Sequence, residues 1–300
     1  MKRVGLKFLY LMRQIFAGTP VQKWKFTTYV YAKLFHSMYG KKDVIVEYKG
    51  ISLLMPTKDV TVVPSIIGGY FESLELDVFR DLANASNKII DVGGNLGIYA
   101  IISSKYSDAF VYSFEPIQEN ILYFEKNIKL NKAKSIKLLK QAVGNEDGKI
   151  KIYLSDTNVG THSAIKSVNG SENYEEVPVT TLDSFVKANK LKVDLLKVDV
   201  EGYDGFVYEG ATEFIKRQQP TLLAEYAPVA LRKAGYEPKK FLGNIVSMYE
   251  KCYLFDEKRN ILTETNINDL LGMHHAVIEN LLLVSNKKHI ELIKKYLKKQ

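Results

Sequence analysis

Ile89-Ile-Asp-Val-Gly-Gly-Asn-Leu-Gly-Ile-Tyr99 is the stretch that decides the fold of this 300-residue chain. A β-branched run ends on an acid, passes through a glycine turn and continues into a helical pattern over residues 99–105. In an open α/β sheet the ligand sits outside the carboxyl ends of the strands, so this turn lies where a ligand is expected. Gly93, Gly94 and Gly97 allow the backbone to come close to it. A dinucleotide site asks for G-x-G-x-x-G with a pyrophosphate on the helix start. That spacing is missing, and Asp91 at the strand end would repel a pyrophosphate. A carboxylate there instead suits the ammonium and sulfonium of S-adenosylmethionine, directly or through water. Asp91, Gly93, Gly94, Asn95 and Gly97 are therefore the expected cofactor loop.

Working outward, β-branched runs alternate with helical segments. Strands are expected at residues 88–92, 110–114, 136–141, 193–198 and 221–225, and helices at 71–82, 99–105, 119–130 and about 205–217. Such alternation argues for a parallel sheet with helices on both faces. Residues 44–48 and 51–55 read as a hairpin, 149–154 and 177–181 as strands flanking a polar loop, and 251–255 with 280–285 as a closing pair. The strand over 110–114 ends in Glu115, 24 positions after Asp91. A carboxylate there is placed to receive ribose hydroxyls. Pro116 after it, and Gln141 and Ala142 at the end of the third strand, are expected beside the adenine.

The net charge of +8 is unevenly spread. Residues 1–42 carry nine Lys or Arg and no acid, and residues 286–300 a net +5, so residues 43–285 hold −6. A nucleic-acid enzyme more often sets its basic stripe across the catalytic face. Basic ends suit an anionic membrane surface, a charged partner or solubility. Apolar residues 4, 8, 11 and 15 share a helical face, either interfacial or packed on the domain. Met1-Lys-Arg and the apolar stretch after it are too short and too charged for a convincing signal peptide, and no run reaches membrane-spanning length. With Cys252 the only cysteine, a cytoplasmic protein, in peripheral contact with membrane at most, is expected.

Together these motifs resemble the FkbM family of methyltransferases. The resemblance runs through Asp91-Val-Gly-Gly-Asn-Leu-Gly97, where the family usually has Ala in place of Gly94. It continues with Phe114-Glu-Pro116, Asn120, Asn127, Asn131, Ala142-Val-Gly144, Gly148 and Thr181-Leu-Asp183. Asp194-Leu-Leu-Lys-Val-Asp-Val-Glu-Gly202 is the most specific element. Tyr203-Asp204 follow it, where the family commonly has Ala-Glu. Gly69-Tyr-Phe-Glu72 looks like the family's opening segment, which implies that Glu72 lies near the cofactor. The resemblance covers roughly residues 65–230. It implies a class I methyltransferase (Rossmann-like) α/β fold, a mostly parallel sheet with an antiparallel closing strand and helices on both faces. The domain is expected over residues 65–285, after a basic extension with the hairpin (1–64) and before a basic C-terminal helix (286–300). The implied reaction is O-methylation of sugars, glycans, lipids or polyketides.

An alcohol acceptor has to lose a proton, which calls for a base near the methyl group. Asp199 and Glu201 close the fourth strand and Glu225 the fifth, so a parallel sheet brings all three to the rim that carries Asp91 and Glu115. They are the expected acceptor-binding and base residues, with Asp199 or Glu201 alternatively a cap of the helix after Gly202, and such oxygen ligands would also suit Mg²⁺. His162, in the polar loop, is a further candidate base or substrate contact, while His274-His275 read as a turn. The expected function is O-methylation of a saccharide, glycan or other polyhydroxylated small molecule. The alternatives are a nucleic-acid ribose methyltransferase, which Lys197, Asp199 and Glu225 loosely suggest, and a non-catalytic S-adenosylmethionine-binding scaffold.

Overall fold

The computed structural model describes residues 33, 35–37, 39, 40, 42–155, 162–166, 172–273 and 278–297. The amphipathic segment near the start and His274-His275 lie outside them. Strands β1 (Val44–Tyr48) and β2 (Ile51–Met55) form the hairpin, followed by helices α1 (Val62–Gly68) and α2 (Ser73–Ala83). Then β3 (Lys88–Val92), α3 (Ile98–Tyr106), β4 (Phe110–Phe114), α4 (Gln118–Leu130) and β5 (Ile136–Leu139) alternate. Strands β6 (Ala142–Val143), β7 (Gly148–Tyr153) and β8 (Tyr174–Thr180) make a separate three-stranded sheet. The α/β pattern resumes with α5 (Leu182–Ala188), β9 (Leu195–Val198), α6 (Asp204–Glu209), α7 (Thr212–Gln218), β10 (Thr221–Tyr226), α8 (Pro228–Lys233) and α9 (Pro238–Val246). It ends with β11 (Lys251–Asp256), β12 (Ile261–Glu264), α10 (Ile267–Gly272), β13 (Glu279–Val284) and α11 (Lys287–Ile293).

The main sheet has the order β12-β11-β13-β10-β9-β3-β4-β5. Strands β5, β4, β3, β9 and β10 run parallel, and β13 lies antiparallel between β10 and β11. This is the expected parallel sheet with its antiparallel closing strand. Side chains alternate across it with a period of two. Ile89, Leu195, Leu223 and Leu282 enter the core shared with α2, α3 and the hairpin. Ile90, Leu196, Leu222 and Leu281 enter the opposite core, under α5, α7 and α9. Both faces are thus buried, as runs such as Leu281-Leu-Leu-Val284 require.

The hairpin belongs to the first core and not to a separate extension, since Tyr48, Ile51, Leu53 and Met55 are all buried there. Two asparagines of α4 take the place of a neighbouring strand beside β2. Asn131 accepts from Ser52 N at 2.9 Å and donates to Ser52 O at 2.6 Å. Asn127 accepts from Leu54 N at 2.7 Å, donates to Leu54 O at 3.2 Å and reaches Leu96 O in the glycine turn at 3.0 Å. Three other expectations change. The helix expected over 205–217 is split at Gly210, because a Cβ there would lie 2.0 Å from Gly144 O. The Gly210 carbonyl accepts from Asp183 N at 2.9 Å, and Asp183 caps α7 through Phe214 N at 2.7 Å. Strand β12 adds to the closing pair, and Glu257 in the turn before it caps α2 through Leu74 N and Glu75 N, each at 3.0 Å. The C-terminal helix stops at Ile293, after which a 3-10 turn leads to a bridge between Leu297 and Leu262.

Replacing Asn127 by leucine strands three backbone groups in a buried place. Asn127→Leu is expected to lower the unfolding free energy by about 3 kcal/mol. Lys126→Ala, on the exposed face of the same helix, should change it by less than about 0.5 kcal/mol. Urea unfolding followed by circular dichroism compares them; coincident curves for Asn127→Leu and wild type would contradict this role.

Candidate active site

At the carboxyl ends of β3, β4 and β9 lies a cleft holding about 930 Å³ of atom-free space, its open mouth included. The glycine turn forms its floor and is lashed to β4, since Gly93 N and Gly94 N both donate to Phe114 O, at 3.1 and 2.9 Å. Gly93 has φ +87°, and a Cβ on it would lie 1.9 Å from the Asp199 carbonyl oxygen. At Gly94 a Cβ would come within 2.3 Å of Ser113 Oγ. Ser113 and the Phe124 ring thus explain why this chain has glycine where alanine is usual in the family. Gly97 caps α3 and stands outside the cleft lining.

Glu115 is buried at the end of β4 and lines the cleft. It accepts from Asn95 N at 2.7 Å, Ile117 N at 2.9 Å and Asn120 Nδ2 at 3.4 Å. Burial pushes its carboxyl up to about 7, against the pull of those backbone amides. Beside it, Pro116, Ile117, Gln141, Ala142, Ile150 and Ile152 line the cleft, the last two from β7 of the small sheet. A flat ring against the apolar wall, with a vicinal diol on Glu115, fits this side. These residues therefore suit the adenosine of S-adenosylmethionine.

Asp91 lies below the turn and is 1% exposed. It stands in register with Ser113 on one side and Lys197 on the other. Ser113 Oγ donates to Asp91 Oδ2 at 2.7 Å, while Oδ1 has no hydrogen-bond partner among the described residues. Burial raises its carboxyl, with Lys197 opposing. Lys197, itself buried, places Nζ 3.1 Å from Asp199 Oδ2 and 4.6 Å from the Tyr99 ring centroid. Burial would lower the lysine, but Asp199, Asp91, Glu72 and Glu75 outweigh it and hold the ammonium above its ordinary range.

Asp199 and Glu201 both line the cleft. Neither caps α6. Asp204 instead folds back and accepts from Gly202 N at 3.1 Å and Val200 N at 3.4 Å, closing the turn that presents them. Glu201 adopts φ +54°, and burial, with Asp199 and Asp204 adding, keeps its carboxyl well above the usual range. Glu225 is also raised by burial, but it stands one residue beyond the Ala224–Val198 pairing and outside the lining. His162 lines the cleft with Nδ1 accepting from Ser155 N at 2.9 Å. The neutral ring, favoured by burial, therefore carries its proton on Nε2, which has no partner among the described residues. That geometry makes His162 a donor and not the base considered from sequence.

Glu72 lines the cleft, and Tyr99 Oη lies 2.6 Å from Glu72 Oε2 and 2.7 Å from Glu75 Oε1. Sequence reasoning missed Glu75, Tyr99 and the central place of Lys197. Glu72 and Glu75 are three apart at a helix start, a pair that spacing alone could have flagged. Among the described residues, no three His, Cys, Asp or Glu are grouped as metal ligands, and no helix is long and apolar enough to cross a membrane.

The family described as Methyltransferase FkbM domain matches residues 91–267, from the acid of the glycine turn to the start of α10. The chain belongs to the FkbM methyltransferase family. No curated protein matches it. Among solved structures, an FkbM methyltransferase from Methylobacillus flagellatus is 12% identical over 74% of this chain and 54% of that one, with a TM-score of 0.39. A Pyrococcus abyssi tRNA (uracil-54, C5)-methyltransferase in complex with S-adenosyl-L-homocysteine is 11% identical over 81% of this chain and 44% of its own, TM-score 0.40. A precorrin-6y C5,15-methyltransferase from Geobacter metallireducens is 11% identical over 72% and 89%, TM-score 0.38. This FkbM-family chain thus spans about half the length of the first two.

Glu72, Glu115 and Asp204 rise by burial to about 8, 7 and 7. A carboxyl raised on folding binds more protons in the native state, so stability is greatest at low pH and is lost as pH climbs through the folded values. The ligand-free protein should therefore melt at a lower temperature at pH 8 than at pH 5.5. A melting temperature that rises over this window would contradict the burial of these acids.

Proposed function

We propose that this chain transfers the methyl group of S-adenosylmethionine to a hydroxyl of a saccharide, glycan or other polyhydroxylated acceptor. The observation that carries the reading is the mixed set of polar groups that line one cleft with the glycine turn. Asp199 accepts, burial favours the protonated form of Glu201, and His162 donates through Nε2. A polyol, which offers both donors and acceptors at close spacing, complements such a set.

When bound, the sulfonium supplies an electrophilic methyl group, and much of the rate comes from holding the acceptor in line with it. Asp199 has one oxygen on Lys197, and its side chain remains 36% exposed in the cleft. It takes the acceptor's proton as the hydroxyl oxygen bonds to the methyl carbon and the carbon–sulfur bond breaks, with S-adenosylhomocysteine as the leaving group. Lys197 stays cationic and keeps the Asp199 side chain in place. Glu201 and His162 orient neighbouring oxygens of the acceptor. The apolar wall from Ile150 and Ile152 excludes water from the adenosine side.

The test is a panel of saccharides and nucleotide sugars with labelled S-adenosylmethionine, run on wild type and Asp199→Asn. The variant is expected to bind S-adenosylhomocysteine within about threefold of wild type and to lose about 10²–10³-fold in kcat. Full turnover by Asp199→Asn, or transfer only to nitrogen or carbon nucleophiles, would contradict the proposal.

A further inference from the structure

The contacts of Tyr99 count protons. One phenol carries one proton, so it can donate to Glu72 or to Glu75, but not to both. The second contact, with both distances at 2.6–2.7 Å, requires an O–H on the other carboxyl. The trio therefore holds two protons on three oxygens, and one glutamate is a neutral acid.

The surroundings are rich in acid and poor in base. Lys197 of β9 and Asp199 just after it act on the pair, Glu201 acts on Glu72 from the turn that follows, and Asp91 of β3 lies on the far side of Lys197. Tyr48, Asp77 and Glu257 stand around the start of α2. Asn280 of β13 donates to Glu75 Oε2. Asp77 is balanced by Lys49 and Arg80, at 2.7 and 3.0 Å, which leaves Lys197 as the cation that acts on Glu72 and Glu75. Asp91, 1% exposed and on the same sheet face as Lys197, leaves Oδ1 without a hydrogen-bond partner. Another positive charge at this end of the cleft would relieve an excess of carboxyl groups that one ammonium cannot balance.

We propose that Glu72, bridged through Tyr99 to Glu75, is the subsite for a cationic group of the bound ligand, and that the pair gives up its shared proton when that group arrives. This rests on the function proposed above. Glu72 touches the ligand, whereas Glu75 does not line the cleft and is a positioning residue. The carboxyl O–H bond breaks, the proton passes to solvent, and the carboxylate left behind faces the cation. Burial sets Glu72 near 8 and Glu75 near 7, so the exchange falls in the neutral range. The cation is either the sulfonium of S-adenosylmethionine or the ammonium of its amino-acid end.

Isothermal titration calorimetry of the full chain, in buffers of different ionisation enthalpy, counts the protons. At pH 7, S-adenosylmethionine should release about one proton per site, falling toward none by pH 9. Release with S-adenosylmethionine alone assigns the subsite to the sulfonium, and equal release with S-adenosylhomocysteine assigns it to the ammonium. The near-isosteric Glu75→Gln should abolish the release while keeping affinity within about tenfold of wild type. Wild-type binding without proton release, or unchanged release in Glu75→Gln, overturns the subsite alone. Should Glu75→Gln not fold, the wild-type count decides by itself. No binding of either ligand contradicts the proposed function and the subsite with it.

Discussion

Lys197 occupies the middle of the sheet, in register with Asp91, which is in register with Ser113. Its ammonium meets Asp199 at 3.1 Å and lies 4.6 Å from the Tyr99 ring centroid. The lysine is buried while Asp199 opens to the cleft, so the pair contributes little net stability and serves to fix the ammonium in place. The lysine therefore ties together β3, β9, α3 and, through Tyr99, the start of α2. Each of these elements delivers one wall of the cleft. An acidic cleft built around the fixed ammonium of Lys197 is the result.

The acids of the family motifs divide into two kinds. Asp194 accepts from Asn87 N and Lys88 N at 2.7 and 3.1 Å, joining the starts of β3 and β9. Asp183 caps α7, and Asp204 closes the turn after β9. These three hold backbone. Glu72, Glu115, Asp199 and Glu201 face the cleft. Asp204 holds the turn that presents Asp199 and Glu201, whereas Asp194 and Asp183 brace the start of β9 and the start of α7, away from the cleft. Asn127 does similar work, pinning both the hairpin and the Leu96 carbonyl of the glycine turn.

Much of this was legible in the chain because the signals are local. The strand, glycine turn and helix around Asp91, the acid ending β4, and the apolar runs of β9 and β10 follow from periodicity and turn chemistry. The positions missed depend on distant contacts. The split between α6 and α7 comes from Gly210 meeting Gly144, some 66 positions away in sequence. Strand β12 is only four residues long, too short to show a period. The burial of the hairpin depends on two asparagine side chains that carry no signal of their own. At the site, Glu225 reached the right rim but not the cleft, since one residue decides which way a strand end faces. His162 was open between base and substrate contact, because a sequence does not show that a backbone N–H already occupies Nδ1.

The most direct test of the account is a crystal structure of the protein with S-adenosylhomocysteine. The ribose hydroxyls should lie on Glu115, the adenine between Ile117 and Ala142, and the amino-acid end beside Glu72. A ligand bound elsewhere, or reversed so that adenine meets Glu72, would contradict the view that Lys197 and its carboxylates build the donor site.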